Sequence, residues 1–127
     1  MATVLIVEDE KNLRDAYEIL LTANAYGVET AANGKEALER CKRRTYDLIL
    51  LDMMMPVLDG AGFLEQASLK TKAPQTKIVV LSNLSTPKTQ AQILAFGVDR
   101  HEIKSNLAPK DVLAIVNGEL GNPQPKN

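Results

Sequence analysis

Leu48-Ile49-Leu50-Leu51-Asp52 is an unbroken apolar run closed by a single carboxylate. A short run that is apolar at every position reads as a strand buried on both faces, the pattern of a parallel sheet covered by helices on each side. Val4-Leu5-Ile6-Val7 repeats the pattern and closes on two acids, Glu8 and Asp9, and Ile78 to Leu81 repeats it again before Ser82. Weaker runs at Val28 to Ala32 and Val98 to Ile103 complete five predicted strands.

Helical stripes lie between these runs. Leu13, Ala16, Tyr17, Leu20 and Leu21 follow the spacing of a one-sided amphipathic helix, and Gly34, Ala37, Leu38 and Cys41 repeat it after Asn33, a fitting N-cap. A third helix is predicted after Asp59-Gly60, with Phe63, Leu64 and Ala67 inward. A fourth takes Thr86 as cap and Pro87 as first residue, with Ala91, Leu94 and Ala95 inward. A fifth opens at Pro109 and buries Val112, Leu113 and Val116. Strands alternating with helices predict an α/β fold, a doubly wound five-stranded parallel sheet in a three-layer α/β/α sandwich. Ligands of such sheets bind beyond the carboxyl ends of the strands. The polar residues there are Glu8, Asp9, Asp52 and Ser82, with Lys104 just past the fifth strand. Three acids at one sheet edge repel by roughly 4 kcal/mol per pair at about 4 Å and an intermediate dielectric, so the cluster calls for a cation.

With 127 residues, 45% of them hydrophobic, the chain is long enough for one core and short for two. A single domain over residues 1–120 is expected, with a disordered tail at 121–127, where Pro, Gly, Asn, Gln and Lys bury almost nothing. Fifteen basic against sixteen acidic residues create no overall field that would hold the chain on nucleic acid or an anionic membrane. Lys42-Arg43-Arg44, at a predicted helix end, complements the helix dipole. The single cysteine, Cys41, has no internal disulfide partner and falls on an apolar stripe, so it reads as a buried thiol in a reducing compartment. No apolar stretch approaches the roughly 20 residues that span a bilayer, and no basic segment precedes the first strand, so a cytoplasmic location is expected.

Val7-Glu8-Asp9-Glu10, the run from Asp52 through Met53-Met54-Met55-Pro56-Val57-Leu58 to Asp59-Gly60, Leu81-Ser82 and Ile103-Lys104 together resemble the receiver domain of two-component response regulators. The resemblance covers residues 2 to about 118 and implies the strand order 2-1-3-4-5. It further implies that Asp52 is the phosphoacceptor, Glu8 and Asp9 the metal-binding acidic pair, Ser82 the switch hydroxyl and Lys104 the conserved lysine. The implied partners are a sensor histidine kinase or phosphotransfer protein upstream and a downstream protein or effector domain; neither nucleic acid nor membrane is a direct partner. The implied role is a phosphoacceptor in signalling, which catalyses only its own phosphotransfer and dephosphorylation.

The residue chemistry agrees. A carboxylate can attack the phosphorus of a phosphohistidine, and phosphoryl transfer then needs alignment and charge neutralisation. Mg²⁺ prefers oxygen ligands and keeps several waters, so Asp9, Asp52, a backbone carbonyl near Met54, and Glu8 directly or through water would suffice. Taken singly, Glu8 and Asp9 read as dipole-complementing acids, Asp52 as a turn residue and Lys104 as a surface lysine; their joint placement favours the site. A haloacid-dehalogenase-type phosphatase also uses a strand-end aspartate, but resembles its kin in a second aspartate two residues on, where this chain has Met54. A pseudo-receiver, with the fold but without phosphorylation, is disfavoured by retention of all five site groups. No phosphate-cradling glycine motif occurs.

Three positions depart from the family. Ser105 stands where proline usually follows the lysine, often with a cis bond; without proline a trans bond and a rearranged loop through Ala108 are expected. Asn83 stands where a small residue usually follows the switch hydroxyl, and is expected to crowd the phosphoryl entrance or donate a hydrogen bond to it. His101, the only histidine, stands where a switching aromatic is common; an imidazole resists burial when charged, so coupling to the face of the fourth helix, fifth strand and fifth helix is expected to weaken in acid.

Overall fold

Five parallel strands, β1 (Thr3–Val7), β2 (Gly27–Ala31), β3 (Leu48–Asp52), β4 (Lys77–Ser82) and β5 (Arg100–Ile103), form one sheet in the order β2-β1-β3-β4-β5. They belong to a computed structural model that describes residues 1–83 and 86–121. The tail expected to be disordered therefore lies, from residue 122 on, outside the described residues. The helices are α1 (Lys11–Ala23), α2 (Gly34–Arg43), α3 (Gly60–Ala67), α4 (Pro87–Ala95) and α5 (Pro109–Leu120).

Alternate residues of β1, β3 and β4 enter different cores. Leu5, Val7, Ile49, Leu51, Ile78 and Val80 pack with Ala37 of α2, Phe63 of α3 and Ile93 of α4 on one side. Val4, Ile6, Leu48, Leu50, Val79 and Leu81 pack with Tyr17 and Leu21 of α1 and Val112 and Val116 of α5 on the other. All five residues of β3 are buried, which accounts for its unbroken apolar sequence. The predicted caps at Asn33 and Thr86 form as read, and Asp59, placed by the sequence only ahead of the third helix, caps it as well. Asn33 accepts the Glu36 N–H at 2.9 Å, Asp59 accepts the Gly62 N–H at 2.8 Å and Thr86 accepts the Thr89 N–H at 3.2 Å, each satisfying a donor that the first helical turn leaves unpaired.

Three details differ from the sequence reading. In α4 the buried residue is Ile93, at 1% exposure, whereas Leu94 is 57% exposed and Ala91 and Ala95 face solvent. Ile93 and Leu94 are adjacent, so the nine-residue stripe has two possible phases, and packing against the sheet selects the one that buries the β-branched residue. The third helix breaks at Ser68, a left-handed residue at φ +50°, and resumes as one turn, Leu69–Lys72. Cys41 is half-buried rather than enclosed, although burial still pushes its thiol up to about 11.

The loop after β3 contains a tight three-residue turn. Leu58 N–H donates to the Pro56 carbonyl at 2.8 Å, which places Val57 at φ +70°. That region costs a residue with a Cβ about 1–2 kcal/mol, and a β-branched side chain suffers most. Val57 is 76% exposed, so little packing offsets the strain. Val57→Gly is expected to stabilise the protein by about 1 kcal/mol after glycine's own entropic cost. A melting temperature unchanged or lowered in calorimetry would show the turn to be unstrained.

Candidate functional site

The carboxyl ends of β1, β3 and β4 and the turn after β5 bring the predicted polar residues together. Glu8 N–H donates to the Ala31 carbonyl of β2 at 3.0 Å, carrying the ladder one residue past β1, and the residue is only 2% exposed. Its Oε2 accepts the Glu10 N–H at 3.1 Å. Asp9 is exposed at the rim. From the first turns of α1, Arg14 donates to the Glu8 carbonyl at 2.8 Å and the Asp9 carbonyl at 3.4 Å, pinning the backbone of the acidic pair. Nothing in the apolar periodicity of α1 marks Arg14, and the sequence reading missed it.

Asp52, the last residue of β3, is 5% exposed. Its Oδ1 accepts the Met54 N–H at 3.1 Å and its Oδ2 lies 3.2 Å from Lys104 Nζ. The same ammonium is 2.7 Å from Glu8 Oε1. One oxygen each from Glu8, Asp9 and Asp52 lies within 4.8 Å of the others. Three carboxylates so placed are hard oxygen donors within reach of one small ion, a set that fits Mg²⁺. Met54 is 60% exposed and supplies no titratable group, which weighs against the phosphatase alternative. Gly60 is required by the close approach behind Asp52: a Cβ there would lie 2.8 Å from the Asp52 carbonyl oxygen.

Burial dominates the electrostatics. It pushes Glu8 up to about 7 against the pull of Lys104, and it also raises Asp52, opposed by the Met54 N–H and Lys104. Burial acts against the Lys104 ammonium, but hydrogen bonding to Glu8 and the charge of Asp52 outweigh it and hold the group above its usual range. Tyr17 of α1 is pushed up to about 12 by burial and then by the charge of Glu8, so a residue read only as core borders the acid cluster. A carboxylate raised in the fold stabilises it fully below the unfolded value of 4.5 and loses that contribution as pH climbs through about 7. A cation that needs ionised ligands reverses the trend. Mg²⁺ affinity is expected to fall as pH drops from about 8 to about 6, with proton release on binding near neutrality. Calorimetry in buffers of different ionisation enthalpy measures this directly, and binding without proton release would remove Glu8 from the ligand set.

Ser82 ends β4 fully buried, paired in the ladder with Ile103 of β5. The Lys104–Ser105 peptide is trans, as expected without proline, and Lys104–Asn106 forms a 3₁₀ turn. Asn83 is exposed, and its Oδ1 accepts the Ser105 N–H at 2.8 Å. Two departures read as independent in the sequence thus meet in one hydrogen bond. His101 pairs with Val80 in the β4–β5 ladder and is half-buried; its Nε2 has no hydrogen-bond partner among the described residues.

A sequence profile described as "Response regulator receiver domain" matches residues 4–117. The chain is 36% identical over 124 residues to a "Probable transcriptional regulator ycf27" of Cyanidium caldarium, covering 98% of this chain and 48% of that protein. It thus spans about half the length of the first curated relatives it matches. The chemotaxis protein CheY4 of Vibrio cholerae superposes with a TM-score of 0.85 at 30% identity, over 94% of this chain and 99% of that one. The response regulator protein TrrA of Thermotoga maritima, solved in complex with Mg(2+)-BeF, superposes with a TM-score of 0.79 at 28% identity, over 94% and 100% of the two chains.

Proposed function

The chain belongs to the response regulator receiver domain family, a family of signalling domains of two-component systems, and from that premise we propose that Asp52 is its phosphoacceptor. The donor is a phosphohistidine on a sensor histidine kinase or phosphotransfer protein. An Asp52 oxygen forms a bond to phosphorus while the P–N bond breaks, and the electron pair returns to the imidazole nitrogen. The resulting acyl phosphate stores the free energy of the transfer. The observation that carries this reading is the placement of Asp52 at the end of the central strand, with Lys104 Nζ at 3.2 Å from one oxygen and the Met54 N–H on the other.

Each neighbour has a role. Mg²⁺, held by Asp9, Asp52, Glu8 and the backbone carbonyl of Met54, would supply charge neutralisation to the phosphoryl oxygens. Lys104, already beside Asp52, pairs with another phosphoryl oxygen. Ser82 donates its hydroxyl to a third, which draws the loop after β4 inward and alters the face formed by α4, β5 and α5. That face signals to a downstream protein or effector domain, and His101 on β5 lies within it. A half-buried imidazole whose Nε2 has no partner among the described residues supports a place for His101 in the switch. No helix among the described residues is long and apolar enough to cross a membrane, which accords with a cytoplasmic place for this exchange. Incubation with Mg²⁺ and a small phosphodonor or a phosphorylated kinase tests the proposal by the appearance of one acid-labile phosphoryl group.

A further inference from the structure

We propose that Asn83 is a positioning residue for Lys104, acting through the N–H of Ser105; this rests on the phosphoacceptor reading above. The β4–β5 ladder ends at the pair Ser82 and Ile103. One step further on β4 the backbone no longer supplies the acceptor, and the Asn83 side chain takes over, receiving the Ser105 N–H at 2.8 Å. The peptide it holds is the one that leaves Lys104. Fixing that N–H fixes the ψ angle of Lys104, and with it the direction in which the side chain departs toward Glu8 and Asp52, 2.7 and 3.2 Å from its ammonium. Ser105 has a free φ angle and cannot stiffen this bend alone, whereas a proline would lock φ and lack the donor. Leu107 N–H also donates to the Lys104 carbonyl at 3.2 Å, at the far end of the turn. Lys104 is a long, rotamer-rich side chain, so its placement depends on how firmly its backbone is held.

The same contact changes what Asn83 does at the entrance. Its carbonyl end is committed to Ser105, which orients the amide group and makes the residue part of the lysine's mount. The positioning role and simple crowding predict opposite results for Asn83→Ala. If the residue crowds the entrance, its removal speeds phosphorylation. If it positions Lys104, removal slows it.

The experiment compares the full chain with Asn83→Ala, Lys104→Met and the double variant. Single-turnover labelling by a small phosphodonor with Mg²⁺ is followed in each, with the amide exchange of Ser105 read by NMR. Asn83→Ala is expected to lower the maximal labelling rate about fivefold, the order of one net hydrogen bond, and to speed Ser105 exchange with little change in melting temperature. In the Lys104→Met background the same substitution is expected to leave the rate unchanged, because the residue through which it acts is gone. Labelling of Asn83→Ala at or above the wild-type rate, or equal slowing in both backgrounds, would overturn the proposal. So would unchanged Ser105 exchange, a comparison that needs no phosphorylation. A wild-type protein that takes no label defeats the phosphoacceptor reading instead, and the exchange comparison still decides whether Asn83 holds Ser105.

Discussion

Asp52→Asn is expected to take up no phosphoryl group from any donor, with Mg²⁺ present, while remaining folded. The substitution is nearly isosteric. Asn keeps an oxygen to accept the Met54 N–H that Asp52 Oδ1 accepts at 3.1 Å, and Lys104 keeps its contact with Glu8 at 2.7 Å. What disappears is the nucleophilic carboxylate, for which an amide has no substitute at neutral pH. It also removes one of two buried carboxylates that burial pushes up. The variant is therefore expected to melt no lower than the wild type in the absence of Mg²⁺. A variant that loses labelling and also unfolds would leave the role of the carboxylate to be tested with beryllofluoride and Mg²⁺, which should bind the wild type and not a folded Asp52 variant.

The second large effect concerns the metal. Glu8, Asp9 and Asp52 present oxygens within 4.8 Å of one another, and among the described residues Lys104 makes its ion pairs with Glu8 and Asp52. Asp9 is the exposed member, so its charge is the one left for an arriving ion. A ligand selective for the folded state stabilises it by about 2.7 kcal/mol at one hundred times its dissociation constant. Saturating Mg²⁺ is thus expected to raise the melting temperature of the wild type by several degrees at neutral pH. Asp9→Asn should lose most of that shift. Equal shifts in the two proteins, measured by calorimetry, would place the ion elsewhere.

Much of this was legible because the strands are buried on both faces. Leu48 to Leu51 and Val4 to Val7 carry no polar residue to interrupt them, so their ends are sharp, and the carboxylates that follow stand out against the apolar run. The caps at Asn33 and Thr86 were readable for a similar reason, since a single side chain satisfies a single backbone donor. The phase of α4 was not readable, because Ile93 beside Leu94 allows two inward faces and only the sheet decides. Arg14 was invisible because its contacts are to backbone carbonyls five and six residues away, which no periodicity records. The Asn83–Ser105 bond spans 22 residues and joins two loops. Each position could be seen to be unusual, but only the parallel pairing of β4 with β5 brings them side by side.

Asp52 as the group that receives phosphorus is tested most directly by locating the label. The protein is incubated with Mg²⁺ and a phosphorylated histidine donor, the acyl phosphate is trapped by borohydride reduction, and the modified residue is identified by peptide mass spectrometry. A single modification at Asp52, absent from Asp52→Asn, is the predicted result; labelling that persists undiminished in that variant, or maps to another residue of the wild type, would contradict it.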